Sequence, residues 1–445
     1  MKIAEKISAQ LPAWRDRVTR LMKENGTYKV CDITIEQIYG GIRGVMINVS
    51  DISYVDPHEG IRLRGYTIPQ IVEKLPRLPG CEYPLVGGLY YLLMVDELPT
   101  MEDALEVEDE WRIRSELPTY VIDTLKALPR STHPMTMFST AILALQNESL
   151  FIKAYNNGIS KADYWRFYLE DSFNLTAKLP TIAAYIYNYK FRDSRMNPPI
   201  HAHDWAANFA HIIGKEDPEY HDLCRLFFVI HSDHESGNVS AHASHLIASA
   251  LSDVYYSCSS GMNGLAGPLH GLANQECLRW LLQVRNHFTE FPSRETLEDY
   301  LWASLQAGKI IPGYGHAVLR TTDPRFTVQL EFGKKHLPDD EIFRLVSLVY
   351  EILPGLLKKQ GKVKNPWPNV DAINGTLQYH YGVKDFDFYT VLFGISRCLG
   401  LTAHAVWARA LEKPLERPKS LTTPMLEAMV RGELLNGNGR NGASK

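Results

Sequence analysis

The spacing of apolar residues limits this chain to a mainly helical fold. From Ile68 onward, segment after segment repeats apolar side chains at helical intervals, with proline near the start and glycine or asparagine at the end. Only residues 30–66 look β-like, and the alternation from Ile61 to Tyr66 is the clearest strand pattern among them. We therefore predict a mainly α protein with a small β segment near its N-terminus.

Composition and charge exclude several classes of function. The 445 residues are 45% hydrophobic and 22% charged, as in an ordinary globular protein, and they are enough for two domains. The formal net charge is -4 and no basic stripe runs along the chain. The sequence therefore has no cluster of positive charge that would bind a nucleic acid or an anionic membrane. No apolar run approaches the roughly 20 residues that a membrane-spanning helix needs.

Cysteine usage and the first 25 residues bear on the compartment. The six cysteines form no CxxC pair, which in a chain of this size favours reduced thiols inside a cell. Residues 1–25 lack the apolar core of a secretory signal and mix acidic with basic residues, unlike an acid-poor transit peptide. We expect a cytoplasmic, bacterial-type location, with the mitochondrial matrix as the alternative if a presequence has been removed.

Histidines crowd one part of the sequence. Five of the sixteen fall within residues 231–276, four of them in two i, i+3 pairs and one in a loop: His231, His234, His242, His245 and His270. The zinc-helix order H-E-x-x-H is absent, which disfavours a metal site built on the four paired histidines. Hydrogen-bonded interior histidines explain at least two of the four, and an organic carboxylate ligand is the better explanation for one.

Three further features indicate a functional site only when they are taken together. The stretch 312–316 lets backbone amides approach a flat ligand, although a tight turn is its simpler interpretation. Asp371 lies among apolar and proline neighbours, where burial would raise its pKa and suit a general base, although an ordinary loop aspartate is the simpler interpretation. Arg325, Arg397 and Arg417 would form a dicarboxylate site if they converge, since a guanidinium matches a carboxylate in a bidentate way.

The ordered set of motifs resembles the citrate synthase family, and its eukaryotic, mitochondrial type in particular. The motifs that carry the resemblance are HSDHE from His231, GPLHGLANQE from Gly267, PGYGHAVLRTTDPR from Pro312 and NPWPNVDA from Asn365. The similarity extends from about Leu11 to Ser420. Several long motifs in the family's order and spacing make chance a poor explanation.

The resemblance implies an almost entirely helical, two-domain fold and a homodimer. Residues 1–270 would form the first part of a large helical domain, residues 271–376 a small domain that closes over the active site, and residues 377–445 the second part of the large domain with a C-terminal tail. The implied reaction condenses acetyl-CoA with oxaloacetate and water to citrate and CoA. Acetyl-CoA would be a substrate, so neither a cofactor nor a metal is implied.

The resemblance also implies roles for individual residues. Asp371 would take a methyl proton from acetyl-CoA while His270 hydrogen-bonds the thioester oxygen, and His316 would polarise the ketone of oxaloacetate. The residues implied to hold the oxaloacetate and citrate carboxylates are His234, His316, Arg325, Arg397 and Arg417, the last reaching in from the partner subunit. Those implied to bind CoA are Arg43, Pro312, Gly313, Tyr314, Gly315, Arg320, Lys362 and Lys364.

One departure from the family pattern keeps alternatives open. Ile373 and Asn374 stand behind the implied base where eukaryotic relatives usually have His-Ser, which changes size and polarity there. The neighbouring activity, 2-methylcitrate synthase acting on propionyl-CoA, is therefore the main alternative. A metal-dependent hydrolase and a catalytically silent relative are two others, and the intact catalytic trio disfavours the silent relative.

Overall fold

The computed structural model describes residues 1–433, and helices make up most of its regular structure. The first thirteen helices are α1 Lys2–Asn25, α2 Ile35–Tyr39, α3 Ile68–Lys74, α4 Val86–Val95, α5 Met101–Arg114, α6 Thr119–Ala127, α7 Pro134–Ala144, α8 Leu150–Asn156, α9 Tyr164–Phe191, α10 Trp205–Ile212, α11 Pro218–Ile230, α12 Val239–Ser249 and α13 Val254–Leu265. The other seven of the described part are α14 Ala273–His287, α15 Arg294–Gln306, α16 Pro324–His336, α17 Glu341–Gln360, α18 Asp371–His380, α19 Tyr389–Ala410 and α20 Thr423–Val430. The prediction of a mainly α fold is confirmed, while the C-terminal tail from residue 434 onward lies outside the described residues.

A small antiparallel sheet is the β part of the described chain. Its three strands are β1 Ser53–Asp56, β2 Gly60–Leu63 and β3 Tyr66–Thr67. They pair in sequence order, with Ser53 opposite Leu63 in the first pair and Leu63 opposite Tyr66 in the second. The strand pattern predicted near Ile61 is therefore present.

The β-like pattern of residues 30–35 does not form a strand. Thr34 instead begins helix α2, because its hydroxyl accepts a hydrogen bond from Gln37 N at 3.2 Å while the Gln37 side chain accepts one from Thr34 N at 3.1 Å. This reciprocal capping satisfies two backbone donors at the start of the helix. Residues 30–33, which precede the cap, form neither strand nor helix.

Helix α19 is the centre of the hydrophobic core. It packs against α9, α13, α12 and α4, and nearly all of its residues are buried. By length and composition the segment Phe386–Ala410 is apolar enough to cross a membrane, the one such helix within residues 1–433, and 89% of its most apolar window is buried inside the protein. Arg397 and His404 interrupt the segment, which is why no long apolar run stands out in the sequence.

Helices α14 to α18 pack largely on one another. Helix α14 contacts α17 and α18, α15 contacts α17, and both α16 and α17 contact α18. Toward the rest of the chain, α14 contacts α19, and α16 contacts α11 and α3. This group runs from Ala273 to His380. The assignment of residues 271–376 as a separate small domain stays a prediction.

Candidate active site

The structure separates the four paired histidines. His231 Nδ1 lies 2.7 Å from a backbone carbonyl oxygen, His242 Nε2 lies 3.1 Å from a glutamate oxygen, and the ring of His245 packs at a tilt against that of His404 with centroids 4.6 Å apart. Within residues 1–433, no group of three or more His, Cys, Asp or Glu side chains stands close enough to hold a metal ion. Three of the four histidines therefore have structural partners.

His234 lies beside His316. The two ring centroids lie 5.8 Å apart. Burial lowers the pKa of His234 well below its ordinary value, and the charges of Arg325 and Arg397 act in the same direction. His234 is therefore a neutral imidazole beside two guanidinium groups.

Arg325 and Arg397 are buried cations, 4% and 3% exposed. Arg325 makes a bidentate pair with Asp323, with Nε–Oδ1 at 3.1 Å and Nη2–Oδ2 at 2.7 Å. Arg397 has neutral partners: its Nη1 donates to Asn238 Oδ1 and Ser240 Oγ at 3.3 Å each, and its Nε has no partner in the described chain. Burial lowers the pKa of Arg397 to about 10. The N–H groups of Arg397 that have no partner could donate to an anion. A carboxylate suits them, because its two oxygen atoms can accept two parallel hydrogen bonds from a guanidinium group.

His270 is held as one neutral tautomer. Ser240 N, in the first turn of α12, donates to His270 Nε2 at 3.3 Å, and the Ser240 hydroxyl lies 3.0 Å from the same atom. Because a backbone N–H only donates, Nε2 is the unprotonated nitrogen and Nδ1 carries the proton. Burial, and secondarily the charge of Arg397, lowers the pKa of His270 to about 4. The ring is thus a neutral hydrogen-bond donor through Nδ1.

His316 is fixed in the opposite tautomer. Val318 N and Leu319 N each donate to its Nδ1 at 3.0 Å, so the neutral ring carries its proton on Nε2. Burial lowers the pKa of His316 and the charge of Arg325 lowers it further. The two neutral imidazoles therefore carry their protons on different ring nitrogen atoms.

Two loops carry further parts of the site. The glycine loop, residues 312–316, and the proline loop, residues 365–371, each end in a residue of the implied catalytic trio. Gly313 packs directly on the first turn of α18: its φ is +81°, and a Cβ there would stand 2.9 Å from Ala372 Cα. A larger residue would strain the backbone and push the two loops apart.

Hydrogen bonds pair these loops in antiparallel fashion. Gly315 N donates to the Trp367 carbonyl at 3.0 Å, and Asn369 N donates to the Gly313 carbonyl at 2.9 Å. The Asn369 side chain adds a third bond, from Nδ2 to the Gly315 carbonyl at 3.0 Å. The relative position of the two loop ends is therefore set by backbone geometry rather than by side-chain packing alone.

Asp371 begins helix α18 with its side chain half-buried. Burial raises its pKa to about 6, and the charges of Arg325 and Arg397 act in the opposite direction without cancelling that rise. A carboxylate with a raised pKa is a better proton acceptor than an ordinary aspartate and is still ionised at neutral pH. This environment suits a general base.

The structure brings together some predicted residues and leaves others apart. Those that share one electrostatic neighbourhood are His234, His270, His316, Arg325, Arg397 and Asp371. Arg320 is exposed beside the glycine loop, and its backbone N donates to the Pro57 carbonyl at 2.7 Å. The remaining predicted cations, all exposed and without a contact to the pocket in the described part of the chain, are Arg43, Lys362, Lys364 and Arg417.

A buried network beneath His234 was not foreseen from the sequence. Asp233 Oδ2 lies 2.6 Å from Ser53 Oγ and 2.9 Å from His404 Nε2, and all three side chains are buried. Burial alone would raise the pKa of Asp233, but its bonds to His404 and Ser53 outweigh burial and lower it. The position of Asp233 next to His234 was the one available signal.

A known family model matches most of the chain. The family model described as "Citrate synthase, C-terminal domain" matches residues 41–419. The chain belongs to the citrate synthase family. This confirms the resemblance carried by the motifs.

Individual relatives agree with this membership. The chain is 50% identical over 426 residues to the probable mitochondrial citrate synthase of Glossina morsitans morsitans, which covers 96% of this chain and 92% of that protein. It is 48% identical over 429 residues to the peroxisomal citrate synthase of Saccharomyces cerevisiae, covering 96% and 93%. Among solved structures, the citrate synthase from Pyrobaculum aerophilum matches with a TM-score of 0.74 and 26% identity, over 86% of this chain and 92% of that one.

The expected cytoplasmic, bacterial-type location is wrong. The two citrate synthases of about half identity are described as mitochondrial and peroxisomal. The expectation relied on the charges of residues 1–25, but Lys2–Asn25 is helix α1, which buries Ile3, Ile7 and Leu11. Its mixture of acidic and basic residues reflects one exposed helix face and says little about the compartment.

We predict opposite effects for two glycine-to-alanine substitutions in helices. A Cβ at Gly400 of α19 would collide with the Asp233 carboxylate, so Gly400→Ala should lower the free energy of unfolding by roughly 1–3 kcal/mol. At Gly355 of α17 a Cβ meets no atom within 4 Å. Gly355→Ala should therefore raise the free energy of unfolding by about 0.5–1 kcal/mol. Urea unfolding measures both, and equal effects would contradict the close packing at Asp233.

Proposed function

We propose that this chain is a citrate synthase, the acyltransferase that condenses acetyl-CoA with oxaloacetate and water to citrate and CoA. The observation that carries the proposal is one cluster of side chains that contains a carboxylate of pKa about 6, two neutral imidazoles of opposite tautomer and two buried guanidinium groups. Each of these groups matches a charge that is present on the substrates or develops during the condensation. Membership of the citrate synthase family supports the same reaction.

Oxaloacetate would be held by the positive side of the pocket. The guanidinium groups of Arg325 and Arg397 and the neutral ring of His234 would bind its two carboxylates. The Nε2–H of His316 would donate to the ketone oxygen, which becomes negative as the neighbouring carbon is attacked. Two backbone N–H groups already occupy the other nitrogen of His316, so this donor is oriented before the substrate arrives.

Acetyl-CoA would be activated by the other two members of the trio. Asp371 would remove a proton from the methyl carbon while the Nδ1–H of His270 stabilises the developing enolate oxygen. The methyl carbon then bonds to the ketone carbon, and the ketone oxygen takes up a proton to give citryl-CoA. Water cleaves the thioester, which releases citrate and the CoA thiol.

Coenzyme A would lie along the glycine loop, with its phosphates near the exposed cations around it. The residues proposed for the loop contact are Pro312, Gly313, Tyr314 and Gly315, and those proposed for the phosphates are Arg43, Arg320, Lys362 and Lys364. Exposed lysine and arginine side chains can move to meet phosphate oxygens at little cost. The family uses acetyl-CoA as a substrate and needs no cofactor.

We propose that residues 271–376 form a small domain that closes on the large one. The mutual packing of α14 to α18 supports this division. Leu269, beside His270, and Ile310, beside the glycine loop, are almost fully exposed apolar side chains next to the pocket. Closure would cover them and would keep water from acetyl-CoA until the carbon–carbon bond has formed.

The alternative of 2-methylcitrate synthase is not favoured. Ile373 and Asn374 were the reason to consider it, yet both side chains are completely buried. Asn374 Nδ2 donates to His231 Nε2 at 3.0 Å, inside the fold. The unusual pair therefore contacts protein rather than lining a substrate pocket, and relatives of about half identity are named as citrate synthases.

We propose a homodimer, because two exposed apolar segments lie together on one subunit. Tyr39 Oη lies 2.7 Å from Thr423 Oγ1, and Lys413 Nζ donates to the Val49 carbonyl at 3.1 Å, so the segments are joined. Their exposed large apolar side chains are Leu21, Met22, Tyr28, Val30, Ile33, Ile35, Ile38, Tyr39, Ile42, Met46, Ile47, Val49, Leu415, Leu421, Met429 and Val430. A contiguous apolar surface of this kind marks a protein interface. Arg417 lies within it and would enter the pocket of the partner subunit.

We also propose the mitochondrial matrix as the location of this protein. The mitochondrial relative from Glossina morsitans morsitans supports it. The peroxisomal relative from yeast makes the peroxisome the competing compartment. Fractionation of the source cells distinguishes the two.

Thiol release from acetyl-CoA, with and without oxaloacetate, tests the proposed reaction. We expect oxaloacetate-dependent release from acetyl-CoA and much slower release from propionyl-CoA. Asp371→Asn should lower kcat by about 100-fold or more, since a general base contributes at least that factor, while oxaloacetate still raises the melting temperature. Comparable turnover of propionyl-CoA would favour 2-methylcitrate synthase, and release from neither thioester would contradict the proposal.

Mixed dimers test the role of Arg417. Arg417→Ala and Asp371→Asn homodimers should both be nearly inactive. A heterodimer of the two variants combines an intact Asp371 with the partner's intact arginine in one of its two sites, so it should show about half of the wild-type rate. If the heterodimer is no more active than the homodimers, Arg417 serves the site of its own subunit and the proposal for it is wrong.

A further inference from the structure

One hydrogen bond joins the helix of the proposed base to the segment of the proposed oxaloacetate ligand. Asn374 Nδ2, on α18, donates to Nε2 of His231, which directly follows α11, at 3.0 Å. Both side chains are completely buried. Neither residue is assigned a role in the mechanism above.

The acceptor side of this hydrogen bond is rigid. The Nδ1–H of His231 donates to the Phe227 carbonyl at 2.7 Å, so Nε2 presents its lone pair to the amide of Asn374. The His231 ring packs on Phe227 and Phe393 with centroids 4.2 Å and 4.4 Å away. Burial holds the pKa of His231 well below its ordinary value, so the ring stays neutral and accepting at physiological pH.

Each partner lies three residues from a residue of the pocket. His231 precedes His234 in the segment after α11. Asn374 follows Asp371 on the same face of α18, since residues i and i+3 are neighbours on a helix surface. A displacement of either partner therefore moves one side of the pocket relative to the other.

We propose that the Asn374–His231 hydrogen bond is a positioning contact that sets the separation between the Asp371 carboxylate and the oxaloacetate held by His234. The inference rests on the proposed function, because it takes Asp371 as the base. A misplacement of about 1 Å in a reacting group costs roughly a hundredfold in rate. Asn374 acts through Asp371 and does not itself touch substrate.

A second hydrogen bond between α18 and the α11 region provides a matched control. Tyr220 Oη, on α11, donates to Gln378 Oε1, on α18, at 2.9 Å. Gln378 is as deeply buried as Asn374 but lies about one helical turn farther from Asp371. Replacing either amide by leucine removes one buried hydrogen bond between α18 and the α11 region, and only one of the two bonds lies behind the base.

The test compares Asn374→Leu with Gln378→Leu in the full-length protein. We expect Asn374→Leu to lower kcat roughly 10- to 100-fold while KM for oxaloacetate stays within about twofold of wild type, because the lost interaction acts on the transition state. Gln378→Leu should lower the melting temperature by a similar amount but change kcat by less than about threefold. Steady-state kinetics and thermal unfolding give these values.

A double variant covers the case in which Asn374→Leu fails to fold. His231→Phe combined with Asn374→Leu removes both polar partners, so no buried donor or acceptor is left unsatisfied. This variant should regain most of the lost thermal stability and keep a low kcat. Equal loss of kcat in the two leucine variants would overturn the proposal, and so would a normal kcat in Asn374→Leu or in the double variant. Absence of thiol release by the wild-type protein would instead refute the proposed function.

Discussion

The site depends on charged groups held inside the protein with incomplete partners. A buried guanidinium loses its hydration, and it is stable only where hydrogen bonds and opposite charge replace water. Arg325 has that replacement in Asp323, whereas Arg397 has only neutral partners and a free Nε in the described chain. In the proposed function, the two carboxylates of oxaloacetate would supply negative charge to these guanidinium groups. The loss of hydration at Arg397 would then favour binding of the substrate.

The same burial decides the protonation of the other groups. It keeps His234, His270 and His316 neutral and raises the pKa of Asp371 to about 6. Backbone N–H groups then select which imidazole nitrogen carries the proton, at Nδ1 of His270 and at Nε2 of His316. A site with fixed neutral donors and one basic carboxylate can stabilise an enolate without a metal ion. The pairing of the glycine and proline loops fixes the relative position of Asp371 and His316, the proposed base and the proposed donor to the ketone.

The sequence predicted the helices well because the residues that begin and end a helix act locally. Proline near the start and glycine or asparagine near the end are read from neighbouring residues alone. At residues 30–35 the strand pattern gives way to irregular backbone and to the start of α2, where Thr34 and Gln37 form a capping box that is also a local signal. The predicted trio rested on the family resemblance, because no local pattern places His270, His316 and Asp371 together. Their tautomers depend on Ser240 and on the backbone of residues 318–319, and such contacts are invisible before the chain is folded.

Ile373 and Asn374 are a second case in which the sequence alone did not show what a side chain contacts. From the sequence it suggested a change in the substrate pocket. In the folded chain both side chains point into protein, and Asn374 meets His231 across the interior. A residue close to a proposed catalytic position in sequence can thus contact protein instead of substrate, because the surface that covers it comes from a distant part of the chain, here His231.

The most direct test of the central claim is the pH dependence of kcat/KM for acetyl-CoA, which reports ionisations of the free enzyme. Asp371 must be ionised to act as a base, and its pKa is raised to about 6. The rate should therefore rise with pH through a midpoint near 6 and level off above it. Protonation of His270, whose pKa is about 4, should reduce the rate further only at lower pH. A rate that stays constant down to the ordinary aspartate value of 3.8 would contradict the account of a buried base.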